Sequence, residues 1–156
     1  MKKFIIVLVL FIFIGCTPLS RLPKEVRSQI PKEANTLVMN FDLPKDSLFI
    51  YVSEFLSTEN FRIHSLNKEV GFINTDGKQY RPEMLIRLNI QISTDNNKSK
   101  LFCTSEFSLR NTNDEDKDKW WRGNYSYGGY FTLCFDNMVL LLQKLPYKEV
   151  QYIRKS

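Results

Sequence analysis

The chain has one histidine, three cysteines and six glycines in 156 residues, and each scarcity removes a class of function. With His64 alone, serine–histidine or cysteine–histidine chemistry would hang on a single residue, and no second ligand stands at a metal-binding spacing from it. Alternation at Phe61 and Ile63 puts His64 on the opposite, exposed strand face. Cys16, Cys103 and Cys134 form no CxxC, so a thioredoxin-like redox centre is unsupported. Nothing resembles a phosphate loop: Gly128 and Gly129 stand alone before an apolar segment, where they ease the chain into a helix. No internal repeat or low-complexity stretch occurs, and no cofactor is implied. Charge of one sign is also scarce. The formal +5 includes Lys2 and Lys3, and without them the remainder carries +3, too mild to argue for nucleic acid.

Long apolar runs are absent except at the N-terminus. Lys2 and Lys3 precede an unbroken run from Phe4 to Ile14, ending at Gly15 and Cys16. This reads as a signal peptide. Eleven apolar residues fall short of the roughly 20 that span a bilayer, and Pro18 halts the run. Phe13-Ile14-Gly15-Cys16 resembles the lipobox of bacterial lipoproteins, although Phe13 departs from the usual Leu. The resemblance implies cleavage before Cys16 and acylation of its thiol with palmitate-like chains. Each buried methylene contributes about 0.8 kcal/mol, so two or three chains would anchor the protein stably. By the sorting rule of the same lipoproteins, in which Asp after the cysteine favours inner-membrane retention, Thr17 implies an outer-membrane location in a cell that has one.

The expected organisation is a leader over residues 1–15, a lipidated Cys16 and solvated tether over 16–33, one α+β domain over 34–147 and a tail over 148–156. Pro18, Pro23 and Pro31 among polar residues mark the tether, with a turn or two of helix available to Val26 and Ile30. Alternation at Leu37, Met39 and Phe41 predicts a first strand. Asp46 is expected to cap a helix to Thr58 with Leu48, Tyr51, Val52, Phe55 and Leu56 on its apolar stripe. Phe61 and Ile63, then Val70 and Phe72, predict a hairpin. A polar loop containing Asp76, Gly77 and Pro82 follows. Met84–Ser93 carries Ile86, Leu88, Ile90 and Ile92 on one face, and a turn at Asp95, Asn96 and Asn97 leads into a strand from Lys100 to Arg110. A helix from Gly129 to Leu145 is stopped by Pro146. The order β-α-β-β-β-β-α implies an antiparallel sheet of about five strands with two helices on one face.

The Asp42-Leu43-Pro44-Lys45-Asp46 helix start, the Asn67-Lys68-Glu69-Val70-Gly71-Phe72-Ile73 hairpin and the closing amphipathic helix resemble small lipoprotein domains with a TATA-box-binding-protein-like fold. They are also similar to the helix-grip domains of the lipoprotein subunit of the outer-membrane β-barrel assembly machinery. The resemblance implies a non-enzymatic envelope domain and carries over no functional residue.

Three features remain. Cys103 on a core-facing strand and Cys134 in the covering helix allow a disulfide, adding about 3 to 4 kcal/mol, or two buried free thiols; sequence leaves both open. Asp114, Glu115, Asp116 and Asp118, interleaved with Lys117 and Lys119, lack the order of a calcium loop and read as a solvated loop. Trp120, Trp121, Arg122, Tyr125 and Tyr127 concentrate residue types that dominate interaction hot spots, yet large aromatics more often plug a core rim. The function expected is a non-catalytic binding or assembly module anchored in membrane lipid through acylated Cys16, contacting an envelope protein or glycan and no nucleic acid. The alternatives are an envelope enzyme using His64 or a thiol, and a purely structural lipoprotein.

Overall fold

The computed structural model of the protein describes residues 20–95, 98–110, 119–125 and 128–155. Its elements are α1 (Lys24–Arg27), β1 (Thr36–Phe41), α2 (Lys45–Thr58), β2 (Ile63–Asn67), β3 (Phe72–Thr75), β4 (Lys78–Arg81), β5 (Met84–Asp95), β6 (Lys98–Leu109), β7 (Trp121–Arg122), α3 (Gly129–Leu142) and β8 (Glu149–Ile153). The fold is α+β. One sheet runs β2-β3-β5-β6-β1-β8, with β4 beside β5 and β7 beside β6, and every pairing is antiparallel.

The centre of the sheet is the β5–β6 pair, in register from Met84↔Leu109 to Asp95↔Lys98. Alternation puts Ile86, Leu88, Ile90 and Ile92 on the same face as Leu101, Cys103 and Phe107, all buried. β1 adds Leu37 opposite Cys103 and Met39 opposite Leu101. On this face lie Leu48, Phe49, Val52 and Leu56 of α2 and Phe135, Met138, Val139 and Leu142 of α3. A side cluster of Met84, Ile86, Phe107 and Cys134 extends the core toward β4 and β7.

Local chemistry sets the element ends. α2 opens at Pro44, whose φ of −59° suits the turn into a helix. Asp46 makes no capping hydrogen bond and instead lies in the first turn, where its charge still complements the helix dipole. The apolar stripe is rotated from the expected one: Phe49 is buried, while Tyr51 is 41% exposed. α2 stops because Asn60 takes a left-handed φ of 60°. The Phe61 amide then donates to Leu56 O at 2.8 Å and the Asn60 amide to Ser57 O at 3.0 Å, a Schellman-type ending that turns Phe61 back onto the core. α3 ends at Leu142, three residues early, and the chain finishes in tighter turns with the Lys144 amide on Leu141 O and the Leu145 amide on Leu142 O.

Three strands depart from the expected order. The segment expected as a polar loop contains β4, with Lys78 opposite Ile86 and Arg81 opposite Met84. Lys-Gln-Tyr-Arg has little apolar alternation, and the strand exists because β5 runs beyond β3 and offers unpaired backbone groups there. The tail contains β8, which closes the other edge with Leu37 opposite Tyr152 and Met39 opposite Val150. β7 is two residues laid on β6. The tether expectation also changes over its described part: Leu22 and Ile30 are buried in the main core, so residues 20–33 pack on the domain. The leader, Cys16 and the turn residues Asn96 and Asn97 lie outside the described residues.

Gly71 has the tightest backbone surroundings of the described glycines. Its φ is +83°, and a Cβ there would lie 2.1 Å from the Ile92 carbonyl oxygen, where the Ile92 amide already donates to Gly71 O at 2.7 Å. Gly71→Ala should lower stability by about 2 kcal/mol or more, measured as a drop in the urea midpoint with an unchanged slope.

Candidate functional site

The aromatic segment does not form one surface. Trp121 pairs across from Phe107 and stacks on it at 5.5 Å between ring centroids, while Phe131 meets Phe107 edge-on at 5.1 Å. These rings complete the side cluster. Tyr125 packs on the main core, 5.9 Å from Phe135, with its amide donating to Ala34 O at 3.0 Å. Trp120 lies apart, with the Arg87 guanidinium 4.1 Å from its ring centroid. Arg87 also pairs with Glu106 at 2.7 Å, and Arg122 stands opposite Glu106 in register. Tyr127 lies outside the described residues, as do the four carboxylates from Asp114 to Asp118.

Cys103 and Cys134 are free thiols, both buried. Burial pushes the Cys103 thiol well above its ordinary value, with Cys134 adding to the effect. Burial likewise pushes Cys134 up to about 12, against the lowering influence of the Ser105 hydroxyl. Both therefore stay protonated near neutral pH, unlike reactive thiolates. Gly123 makes room beside them, since a Cβ there would lie 2.6 Å from Ser105 Oγ and 3.2 Å from Cys134 Sγ. His64 is exposed, with Nδ1 3.0 Å from Asp76 Oδ1. Among the described residues, no group of three or more His, Cys, Asp or Glu could hold a metal ion.

A groove that no sequence motif announces lies between α3 and the β4–β5 edge, with a volume of about 240 Å³. Ile86 and Leu88 form its floor, Met138 and Leu141 one wall, and Phe61 and Tyr80 the other side. Leu140 stands at its mouth, 36% exposed. Its rim carries two ammonium groups. Lys78 Nζ sits 4.7 Å from the Phe61 ring centroid and donates to the Glu59 carbonyl at 2.5 Å. Lys144 Nζ pairs with Glu59 Oε1 at 2.7 Å. Local pattern hides the groove because one of its edges is β4, whose residues carry no strand signal of their own. A second hollow of about 430 Å³ lies between residues 28–31 and β8, where polar Ser28, Gln29 and Gln151 share the lining with Ile30, Pro31, Val150 and Tyr152.

The N-terminal segment reaches the flank of the groove. Arg21 hydrogen-bonds through its guanidinium to the Tyr80 hydroxyl and lies 5.4 Å from the Tyr80 ring centroid. Its amide donates to Asp136 Oδ2 at 2.8 Å. Asp136 is fully buried in the middle of α3, and that burial raises its carboxyl above the usual value, with Ser20, Arg21 and Arg27 pulling the other way.

No family model matches the chain, and no curated protein matches it. Among solved structures, it is similar to a DUF4468 family protein from Bacteroides ovatus ATCC 8483, with 9% identity, a TM-score of 0.37, and coverage of 65% of this chain and 70% of that one. Among the described residues, no helix is long and apolar enough to cross a membrane.

The two tryptophans should differ on substitution. Trp121→Ala should cost about 2 kcal/mol of stability, as expected for a half-buried ring in a core cluster, whereas Trp120→Ala should cost under about 1 kcal/mol; chemical denaturation distinguishes them. For Asp136, the folded-state value lies above the unfolded one, so its stabilising contribution is complete at low pH and is lost as pH rises through the raised value. The wild type should therefore lose stability relative to Asp136→Asn as pH rises above about 4, read from denaturation midpoints at successive pH values.

Proposed function

We propose that this protein is a lipid-anchored, non-catalytic binding module of the cell envelope, held at the outer membrane through acylated Cys16 and using the groove beside α3 to take up apolar ligands. The observation that supports binding is the groove itself, a concavity with apolar walls from β5, the Phe61 and Tyr80 rings and a core helix and with charge confined to its rim. Its position supports tethering, because the chain arriving from Cys16 meets Tyr80 on the groove's flank through Arg21. A ligand leaving a membrane would thus have a short path to the site.

The protonated state favoured for both buried thiols argues against the thiol-enzyme alternative. The packing of Trp121 and Tyr125 against the two core clusters moves the partner-contact reading away from those rings and leaves Trp120 and Arg122 at the outer sheet face.

Intact mass of the native protein should show residues 1–15 removed and acyl groups on Cys16; a retained leader or bare thiol sinks the anchoring. The full chain in phosphatidylcholine nanodiscs should enhance Nile red fluorescence above that of empty discs. Leu140→Glu, at the exposed mouth, should reduce that enhancement several-fold while changing stability by no more than about 0.5 kcal/mol. An enhancement equal to empty discs rules out apolar uptake by the groove.

A further inference from the structure

We propose that the groove selects a single-chain anionic amphiphile, with the head on Lys78 and Lys144 and the alkyl chain between the β5 floor and α3. The inference rests on the binding-module reading above and adds the chemical class of ligand.

Two features of the site lead to it. The walls offer Ile86, Leu88, Met138 and Leu141 and so reward buried hydrocarbon, while the rim offers two ammonium groups to one carboxylate. Among the described residues of this rim, Glu59 carries the single negative charge: its carboxylate faces Lys144 at 2.7 Å, and its backbone carbonyl accepts a hydrogen bond from Lys78 at 2.5 Å. Each ammonium has three donors, so each retains capacity beyond these contacts, and the cluster keeps one net positive charge. A monoanionic head balances that charge; a cationic head is repelled. The groove's volume of about 240 Å³ exceeds the ~150 Å³ cavity that accepts a benzene-sized guest, yet it gives no room to a partner helix about 10 Å across. A flexible chain fits where a folded element does not.

Each methylene buried should tighten binding about fourfold until the groove is filled. Losing the charged contacts should weaken it about tenfold.

The test uses the full chain in phosphatidylcholine nanodiscs and a decanoate analogue bearing a diazirine, with adducts mapped by peptide mass spectrometry. Adducts should fall on the segments holding Tyr80, Met138 and Leu141. At matched free concentrations decanoate should displace the label at least tenfold better than decan-1-ol, and decyltrimethylammonium should fail. Hexanoate should compete more weakly than octanoate, and octanoate more weakly than decanoate. Lys78→Gln combined with Lys144→Gln should remove the preference for decanoate over decanol, and Lys78→Arg with Lys144→Arg should keep it. Equal competition by all three head groups, adducts confined to other segments, or a preference untouched in the double Gln variant would each overturn the proposal. If Nile red uptake and its loss in Leu140→Glu persist under such a result, only the assignment of a single-chain anion to the groove falls; if that uptake is missing too, the binding-module reading falls with it.

Discussion

The long antiparallel pairing of β5 with β6 is the constraint on which the other elements rest. Its register carries a continuous line of pairs from Met84↔Leu109 to Asp95↔Lys98. A shift by one residue would send Ile86, Leu88, Ile90 and Ile92 to solvent and bring Arg87, Asn89 and Gln91 into the core. The apolar face leaves room for one register only, and both helices pack on that face. β1 then adds to β6 because its own Leu37 and Met39 continue the same surface. β8 and β3 follow as neighbours that cover the remaining backbone groups.

The groove arises from a mismatch of lengths within this arrangement. β5 has twelve residues, and β3 covers only the part around Phe72↔Gln91 to Asn74↔Asn89. β4 fills the vacancy with four residues, too short a strand to bring a second apolar layer against α3. Ile86 and Leu88, themselves nearly fully buried, therefore lie at the bottom of the groove. Lys78 is drawn to that rim by the Phe61 ring, and Lys144 by Glu59. Both partners sit just beyond α2, so the Schellman-type turn at Asn60 also positions the charged end of the groove.

The N-terminal segment is part of the domain as well as its lead-in. Leu22, Ile30 and Ala34 are buried in the main core, and Asp136 accepts the Arg21 amide from the middle of α3. An acid buried in a helix costs desolvation, which its raised pKa reflects. Its bond to Arg21 ties the incoming chain to the helix that forms the groove wall.

Much of the architecture is legible in the residue pattern, because it rests on local periodicity. Alternation at Leu37–Phe41 and Ile86–Ile92 and helical spacing around Leu48 and Met138 give the α+β class, the antiparallel order and the main strands and helices. β8 carries a readable signal in Val150 and Tyr152, but it is short and stands just after the helix-stopping Pro146, where a solvated tail looks the same. β4 carries little, since its pairing is imposed by the free edge of β5. The aromatic segment shows the limit most clearly: composition places Trp120, Trp121 and Tyr125 together, while tertiary contacts send Trp121 to Phe107, Tyr125 to Phe135 and Trp120 to Arg87. Residue order alone dictates which faces of each element must be buried. Which rings those faces take in, and where a groove stays open, is settled in three dimensions, because both depend on partners in other elements whose approach no local pattern encodes.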